Sequence, residues 1–203
     1  MLRSMAGPII AGIDEAGRGA LAGPVVAAAC VFSSKKREVP RIDDSKRLTP
    51  EEREEAFAYL TTRCPYGVGV VGADIVDREG ILGATERAMH GALAALSEIT
   101  EPTYLLIDGQ DHFWFDIPHS SIIRGDQSEV CIAAASVIAK VTRDRWMVAA
   151  AAKYPLYGFA EHKGYGTEEH FLRLRKFGPC PLHRRTFLRN LSSIGTPSGA
   201  LSS

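Results

Sequence analysis

Residues Ile9–Gly19 read IIAGIDEAGRG. The uncharged run Ile9–Ile13 suits a strand buried on both faces. Two adjacent carboxylates, Asp14 and Glu15, follow where that strand is expected to leave the core. Side by side they repel, and a divalent metal is the simplest compensation. The plain alternative is an Asx turn beside a solvated Glu, with Gly17 and Gly19 as ordinary turn residues.

Outward from this stretch, Val25–Phe32 reads as a second buried strand, joined to the first by so short a turn that an antiparallel hairpin is expected. Ser33–Lys46 is a polar loop. Thr49-Pro50-Glu51-Glu52 combines a capping residue, a proline at the first helical position and a capping-box Glu, predicting a helix to about Arg63. Tyr66–Ala73 reads as a third strand whose glycines invite bending or close approach. Leu82, Thr85, Met89, Leu93 and Leu96 recur at helical spacing and predict a long helix over Asp77–Ile99. Thr103–Ile107 is a fourth strand that also runs into an acid, Asp108.

A short fifth strand is expected at His119–Ile123, closed by Gly125-Asp126. A widely apolar helix follows from about Glu129 to Lys153, with Asp126 just ahead of it and Asp144 inside it. Tyr157–Gly166 reads as a loop. Thr167 caps a helix through about Phe177, His183–Ser192 forms a last short helix, and a loose tail begins at Gly195.

The chain's 203 residues suit one domain with a small appendage. Lys plus Arg and Asp plus Glu are equal at 24 each, so net charge does not announce a nucleic-acid ligand. The distribution says more, because Arg173, Arg175, Lys176, Arg184, Arg185 and Arg189 make a basic stretch. Cys30, Cys64, Cys131 and Cys180 are scattered and form no CxxC pair, which argues against a disulfide framework or a zinc site. The N-terminal residues do not resemble a signal peptide, and no run reaches the roughly 18 apolar residues of a membrane span. A cytoplasmic protein is the expectation.

Strands alternating with helices after an initial hairpin predict an α/β fold with a mixed sheet. In such sheets chemistry gathers where strands end. Asp14, Glu15, Asp108 and Asp126 are the candidates to converge there, and four such acids suit magnesium or manganese. Two ions about 4 Å apart can hold the attacking and leaving oxygens of a phosphoryl transfer. Arg18, Lys46, Lys140, Arg143 and Arg145 are phosphate-suited donors, and Tyr165, between two glycines, offers a ring for a sugar or base. Each has a structural alternative, as an ion-pair partner, a solvated helix residue or core packing.

DEAGRG at Asp14–Gly19, DSKRL at Asp44–Leu48, IDG at Ile107–Gly109, Gly125-Asp126, AAASVIAKVTRD at Ala133–Asp144, GYGT at Gly164–Thr167 and HRRTF at His183–Phe187 occur in order. With these motifs the chain resembles the bacterial type 2 ribonucleases H (ribonuclease HII) over nearly its whole length. The resemblance implies a ribonuclease H-like fold, a five-stranded mixed sheet flanked by helices with a small C-terminal helical part. Residues 1–155 would be the catalytic core, and residues 156–203 a small region completing the substrate surface. It implies an endonuclease cutting the RNA strand of RNA–DNA hybrids, and cutting 5′ of single ribonucleotides in duplex DNA.

Carried over by motif, the metal-binding acids fall on Asp14, Glu15, Asp108 and Asp126, with two magnesium or manganese ions expected. Gly17, Arg18 and Gly19 would grip the ribonucleotide, Tyr165 would pack on the deoxyribose 3′ of it, and Lys46 and the basic C-terminal segment would contact phosphates. Thr186 stands where serine is common, and keeps its hydroxyl. Asp144 is expected to make a structural ion pair with Arg143 or a neighbour, and His162 and His183 to be structural hydrogen-bonding residues. The expected partners are RNA–DNA hybrid and ribonucleotide-containing duplex DNA, with no membrane. The protein is expected to be a monomer, and its tail has no clear sliding-clamp-binding pattern. A related nuclease without junction specificity, a catalytically inactive hybrid-binding module and a purely structural α/β domain are the competing readings.

Overall fold

The computed structural model describes residues 7–32, 48–111 and 113–189. The loop expected at Ser33–Lys46, with Lys46, and the tail expected from Gly195 lie outside the described residues. Five strands form one mixed sheet: β1 (Ile10–Ala16), β2 (Val25–Cys30), β3 (Tyr66–Val71), β4 (Tyr104–Asp108) and β5 (His119–Ile122), in the order β3-β2-β1-β4-β5. β1–β2 and β2–β3 pair antiparallel, as the expected hairpin requires, while β1–β4 and β4–β5 pair parallel.

The first strand is longer than its apolar run. Asp14 and Glu15 lie inside β1, where the sequence suggested that they follow it. The ladder to β2 continues through Asp14↔Ala28, Glu15↔Ala27 and Ala16↔Val26, whereas the ladder to β4 stops at Ile13↔Ile107. The two acids therefore stand where one neighbour has ended and the other goes on.

Helix α1 (Pro50–Arg63) starts with the expected capping box between Thr49 and Glu52. Helix α2 (Ala73–Ser97) begins four residues before the expected Asp77, because Gly72 caps it directly after β3. It is broken at Gly80, whose φ of 77° and ψ of 167° are non-helical. Leu82, just past the break, is half exposed, while Thr85, Met89 and Leu96 are buried.

A one-turn helix α3 (Gly125–Ser128) carries Asp126 and precedes α4 (Val130–Lys153), so Asp126 sits within a helical turn of its own. The expected loop after α4 is instead mostly helical, with a 3-10 turn at Pro155–Tyr157 and α5 (Phe159–His162). Helix α6 (Glu168–Phe177) has its expected Thr167 cap, and α7 (Arg185–Leu188) is shorter than the segment expected there. The four cysteines are unpaired. Among the described residues, no helix is long and apolar enough to cross a membrane.

Strand alternation divides the core. Ala11, Ile13, Val25, Ala27, Ala29, Leu105 and Ile107 pack with α2. Ala16, Ala28 and Cys30 pack with α1 and α4 on the opposite face. Helix α4 is buried round most of its circumference, as its composition requires. A third cluster joins Ala22, Met147, Tyr157, Phe159 and Cys180 beside the end of α4.

Helix α4 reaches the sheet through Gly12. A Cβ there would lie 2.2 Å from the carbonyl carbon of Cys131, and backbone cannot yield as a side-chain tip can. Gly12→Ala is expected to cost about 3 kcal/mol or more, the upper range for overpacking. The check is the shift of the urea unfolding midpoint at unchanged slope.

Candidate active site

Asp14 shares the α4 side of β1 with Gly12 and Ala16. The same alternation brings Asp108, after Ile107, to that side of β4, next to Asp14. Glu15 points to the other face, yet it reaches the same opening because β4 no longer flanks β1 there. Asp14, Glu15 and Asp108 line a cleft of about 390 Å³, whose walls also carry Gly17, Arg18, Ser136, Lys140 and Tyr165.

Asp14 is 6% exposed. Burial, then the charges of Glu15 and Asp108, push its carboxyl well above the usual range; hydrogen bonds from Ser136 and the Glu15 amide oppose this without cancelling it. The amide bond is 2.7 Å long. Burial also raises Glu15, against the pull of Arg18. Asp126 is buried and joins the group through its backbone, its amide donating to Asp108 Oδ1 at 3.3 Å. Among the described residues, no three acid, thiol or imidazole groups already enclose a point where an ion could sit. The donor set nevertheless fits a hard divalent cation, since crowded, partly desolvated carboxylates are what such an ion neutralises.

The turn after β1 is held from beneath by two fully buried arginines. Arg143 donates from Nε to the Pro24 carbonyl at 2.9 Å and from Nη2 to that of Ala22 at 3.1 Å. Arg184 donates to the Gly23 carbonyl from Nε and Nη2, and from Nη1 to that of Arg18 at 2.9 Å. Burial lowers the Arg143 guanidinium, and burial with the neighbouring Arg143 charge lowers Arg184 to about 9. Gly17 has φ +96°, and a Cβ on it would lie 2.0 Å from Arg143 Nε, so conformation and space both demand glycine.

Arg18 itself bonds Glu15 at 3.2 Å and Asp111 at 2.7 Å. Tyr165 is half-buried, with Lys140 Nζ and Arg143 Cζ 5.3 and 5.0 Å from its ring centroid. Lys46 lies outside the described residues.

Other expected phosphate donors have different work. Arg143 is interior. Arg145 pairs with Glu54 at 2.5 Å. Lys140 pairs with Asp144 at 2.7 Å, and Arg53 approaches Asp144 at 3.9 Å, so Asp144 is structural with partners other than Arg143. In the basic C-terminal stretch, Arg184 is buried and Arg173 pairs with Glu169, while Arg175, Lys176, Arg185 and Arg189 are exposed. The Thr186 hydroxyl donates to Asp77 at 2.6 Å. Burial acts against ionisation of Asp77, but this bond and the amides of Thr186 and Arg185 hold its carboxyl below the usual range.

Sequence reading gave no site role to Ser136, Asp111 or His170, and it placed Arg184, which is fully buried, among the residues expected to contact phosphates. Ser136 was visible inside the long-helix motif, and Arg184 inside a basic run that resembled a surface. Nothing local singled out Asp111.

A family model described as Ribonuclease HII matches residues 11–190. A ribonuclease HII of Geobacillus kaustophilus is 52% identical over 179 residues, spanning 88% of this chain and 67% of the relative. One from Geobacter metallireducens is 49% identical over 180 residues, spanning 88% and 83%. Among solved structures, ribonuclease H2 from Pyrococcus horikoshii superposes with a TM-score of 0.70 at 26% identity, covering 91% of this chain and 96% of that one. RNase HII from Archaeoglobus fulgidus, solved in a complex with PCNA, gives 0.74 at 23% identity over 93% and 98%, a likeness of fold.

The raised Asp14 carboxyl has a measurable consequence. A carboxyl whose folded pKa exceeds its unfolded value favours the fold below the unfolded pKa and loses that contribution as pH rises through the folded one. The Asp14 carboxyl therefore costs the metal-free protein stability as pH rises above the unfolded carboxylate range. Asp14→Asn should stabilise the protein in EDTA by on the order of 1 kcal/mol, the scale of one pKa unit, and should abolish the gain in melting temperature on adding magnesium. Thermal melts with and without metal check both.

Proposed function

The chain belongs to the ribonuclease HII family, and from that premise we propose a metal-dependent endonuclease that hydrolyses the RNA strand of RNA–DNA hybrids and cuts 5′ of single ribonucleotides embedded in duplex DNA. The observation that carries this reading is the cleft in which Asp14, Glu15 and Asp108 stand beside Arg18 and Tyr165. Asp14, Glu15, Asp108 and Asp126 would hold magnesium or manganese, two ions in the catalytic complex, supplying an activated water and positive charge beside the leaving 3′-oxygen.

The chain's own groups supply the rest. The backbone of Gly17, Arg18 and Gly19, fixed from below by buried guanidiniums, meets the ribonucleotide and senses its 2′-hydroxyl. Arg18, exchanging Asp111 for substrate, offers its guanidinium to the phosphate. The Tyr165 ring packs on the deoxyribose 3′ of the ribonucleotide, where a ribose would be crowded, and this favours a junction. Lys46 and the exposed Arg175, Lys176, Arg185 and Arg189 neutralise phosphates without reading bases.

Products would carry 5′-phosphate and 3′-hydroxyl ends. In this reading residues 1–155 form the catalytic core and 156–203 complete the substrate surface. The protein works as a monomer in the cytoplasm, initiating ribonucleotide removal from DNA and contributing to primer removal.

The test is a labelled DNA duplex carrying one ribonucleotide, incubated with magnesium, manganese or EDTA. The expected result is a single cut immediately 5′ of the ribonucleotide, abolished by EDTA. Cutting of continuous hybrid alone would remove the junction role of Tyr165. No cut on either substrate by folded, metal-supplied protein would favour a hybrid-binding module without catalysis. Asp126→Asn should fold normally and lose more than the roughly hundredfold that loss of a supporting residue costs; a wild-type rate would exclude Asp126 as a ligand.

A further inference from the structure

Beneath Tyr165 lie three buried histidines that the reading above does not use. His170 Nδ1 is 2.9 Å from the Tyr165 carbonyl, His170 Nε2 is 3.0 Å from His183 Nε2, and His183 Nδ1 is 3.0 Å from the Cys180 amide nitrogen. His162 stacks on His170 with centroids 4.2 Å apart. Its Nδ1 is 3.1 Å from the Gly164 amide nitrogen and its Nε2 2.7 Å from the Tyr157 carbonyl.

These contacts fix where the protons are. A backbone amide can only donate, so His183 Nδ1 must accept from Cys180 and its proton sits on Nε2. That proton is donated to His170 Nε2, which leaves the His170 proton on Nδ1, facing the Tyr165 carbonyl. The Cys180 thiol, 3.2 Å from His183 Nδ1, can donate to it beside the amide, and every group along the line is then matched.

The Cys180 carbonyl, 3.3 Å from His183 Nδ1, accepts the His183 amide at 3.0 Å, just as the Tyr165 carbonyl accepts the Thr167 amide at 2.9 Å, so the amide of Cys180 is what decides the tautomer. If His183 Nδ1 donated to the Cys180 carbonyl instead, the Cys180 amide would face an N–H and the reversed His170 would turn a lone pair on the Tyr165 carbonyl. One arrangement satisfies all the partners, and its reverse leaves two mismatches.

The far end of the line is equally tied down. His183 bridges Ala22, the Gly23 amide donates to the Leu182 carbonyl at 2.8 Å, and the Arg184 amide to that of Leu21 at 2.9 Å. Gly164, next to Tyr165, accepts the amides of Leu21 and Ala22. The line thus runs from the segment that supports the Gly17–Pro24 turn to the loop that carries the tyrosine.

We propose that Cys180, His183 and His170 form a hydrogen-bond relay of fixed tautomers that sets the position of Tyr165 relative to the Gly17–Gly19 turn, making His170 and His183 positioning residues for recognition of the sugar 3′ of the ribonucleotide. This rests on the role given above to Tyr165. The relay transmits geometry: the last proton points at a carbonyl, which holds the backbone beneath the ring at one height.

Two side chains separate the halves of His170. Asn reaches the Nδ1 position and keeps a donor for the Tyr165 carbonyl; Gln reaches the Nε2 position and keeps the link to His183 only. The experiment compares wild type, His170→Asn, His170→Gln and Tyr165→Ala for kcat/KM on a single-ribonucleotide duplex against continuous hybrid, with melting curves to confirm folding. Histidine tautomers are read in parallel by long-range ¹H–¹⁵N NMR on the wild type.

The expected tautomers are Nδ1–H at His170 and Nε2–H at His183. His170→Gln should lose between about tenfold and a hundredfold of the junction preference, the cost of a misplaced positioning group, and His170→Asn should stay nearer wild type. The reverse tautomers, or Gln performing as well as Asn, would overturn the relay. Loss of preference in Tyr165→Ala with none in His170→Gln would overturn the positioning role while sparing the tyrosine. Wild-type preference in Tyr165→Ala would overturn the role of Tyr165, and the positioning role with it, and the tautomers would still report on the hydrogen-bond line by itself.

Discussion

Asp14 is a carboxylate to which water has little access and two other acids have a great deal. Its position follows from a mismatch of ladder lengths, since β1 stays paired with β2 to Ala16 but with β4 only to Ile13. The opening left beyond Ile13 admits Glu15 and Asp108 from two strands that run the same way. Ser136 completes the surroundings because α4 lies close against β1, and that closeness depends on the missing side chain at Gly12. A backbone spacing thereby controls an electrostatic one, and the resulting repulsion is the reason that this point of the fold suits a cation.

The cationic side of the cleft is organised on a different principle. Two arginines that could have faced substrate are buried, and their donors take the carbonyls of Arg18, Ala22, Gly23 and Pro24. Turning those carbonyls inward fixes the turn without filling the cleft. A buried guanidinium is costly unless its donors are used, and here five of the six guanidinium nitrogens bond backbone carbonyls. One nitrogen of Arg143, Nη1, is buried without a partner among the described residues.

The sheet, the sequence of its strands and the caps at Thr49 and Thr167 were legible because they depend on local signals. Thr49-Pro50-Glu51-Glu52 states a helix start in four residues, and the buried run Ile9–Ile13 states a strand. The acids stood out too, since Asp14, Glu15 and Asp108 each follow an apolar run and Asp126 opens a helix. The end of β1 was not legible, because the length of a strand is set by what its neighbours do. The break at Gly80 was hidden by a hydrophobic repeat that begins just after it. The roles of Arg143 and Arg184 could not be read, because an arginine in a basic run looks the same whether it faces water or a distant carbonyl. Asp111 and His170 owe their places wholly to tertiary contact.

The two guanidiniums that support the Gly17–Pro24 turn come from far along the chain. Arg143 reaches back 119 residues to Pro24, and Arg184 reaches back 166 to Arg18. During synthesis the hairpin of β1 and β2 can pair early from contacts near in sequence, while the turn between them waits for residue 184 to leave the ribosome. Acids and turn thus mature at different times. A growing chain carries the carboxylates of β1 long before it carries the guanidinium that fixes the turn beside them.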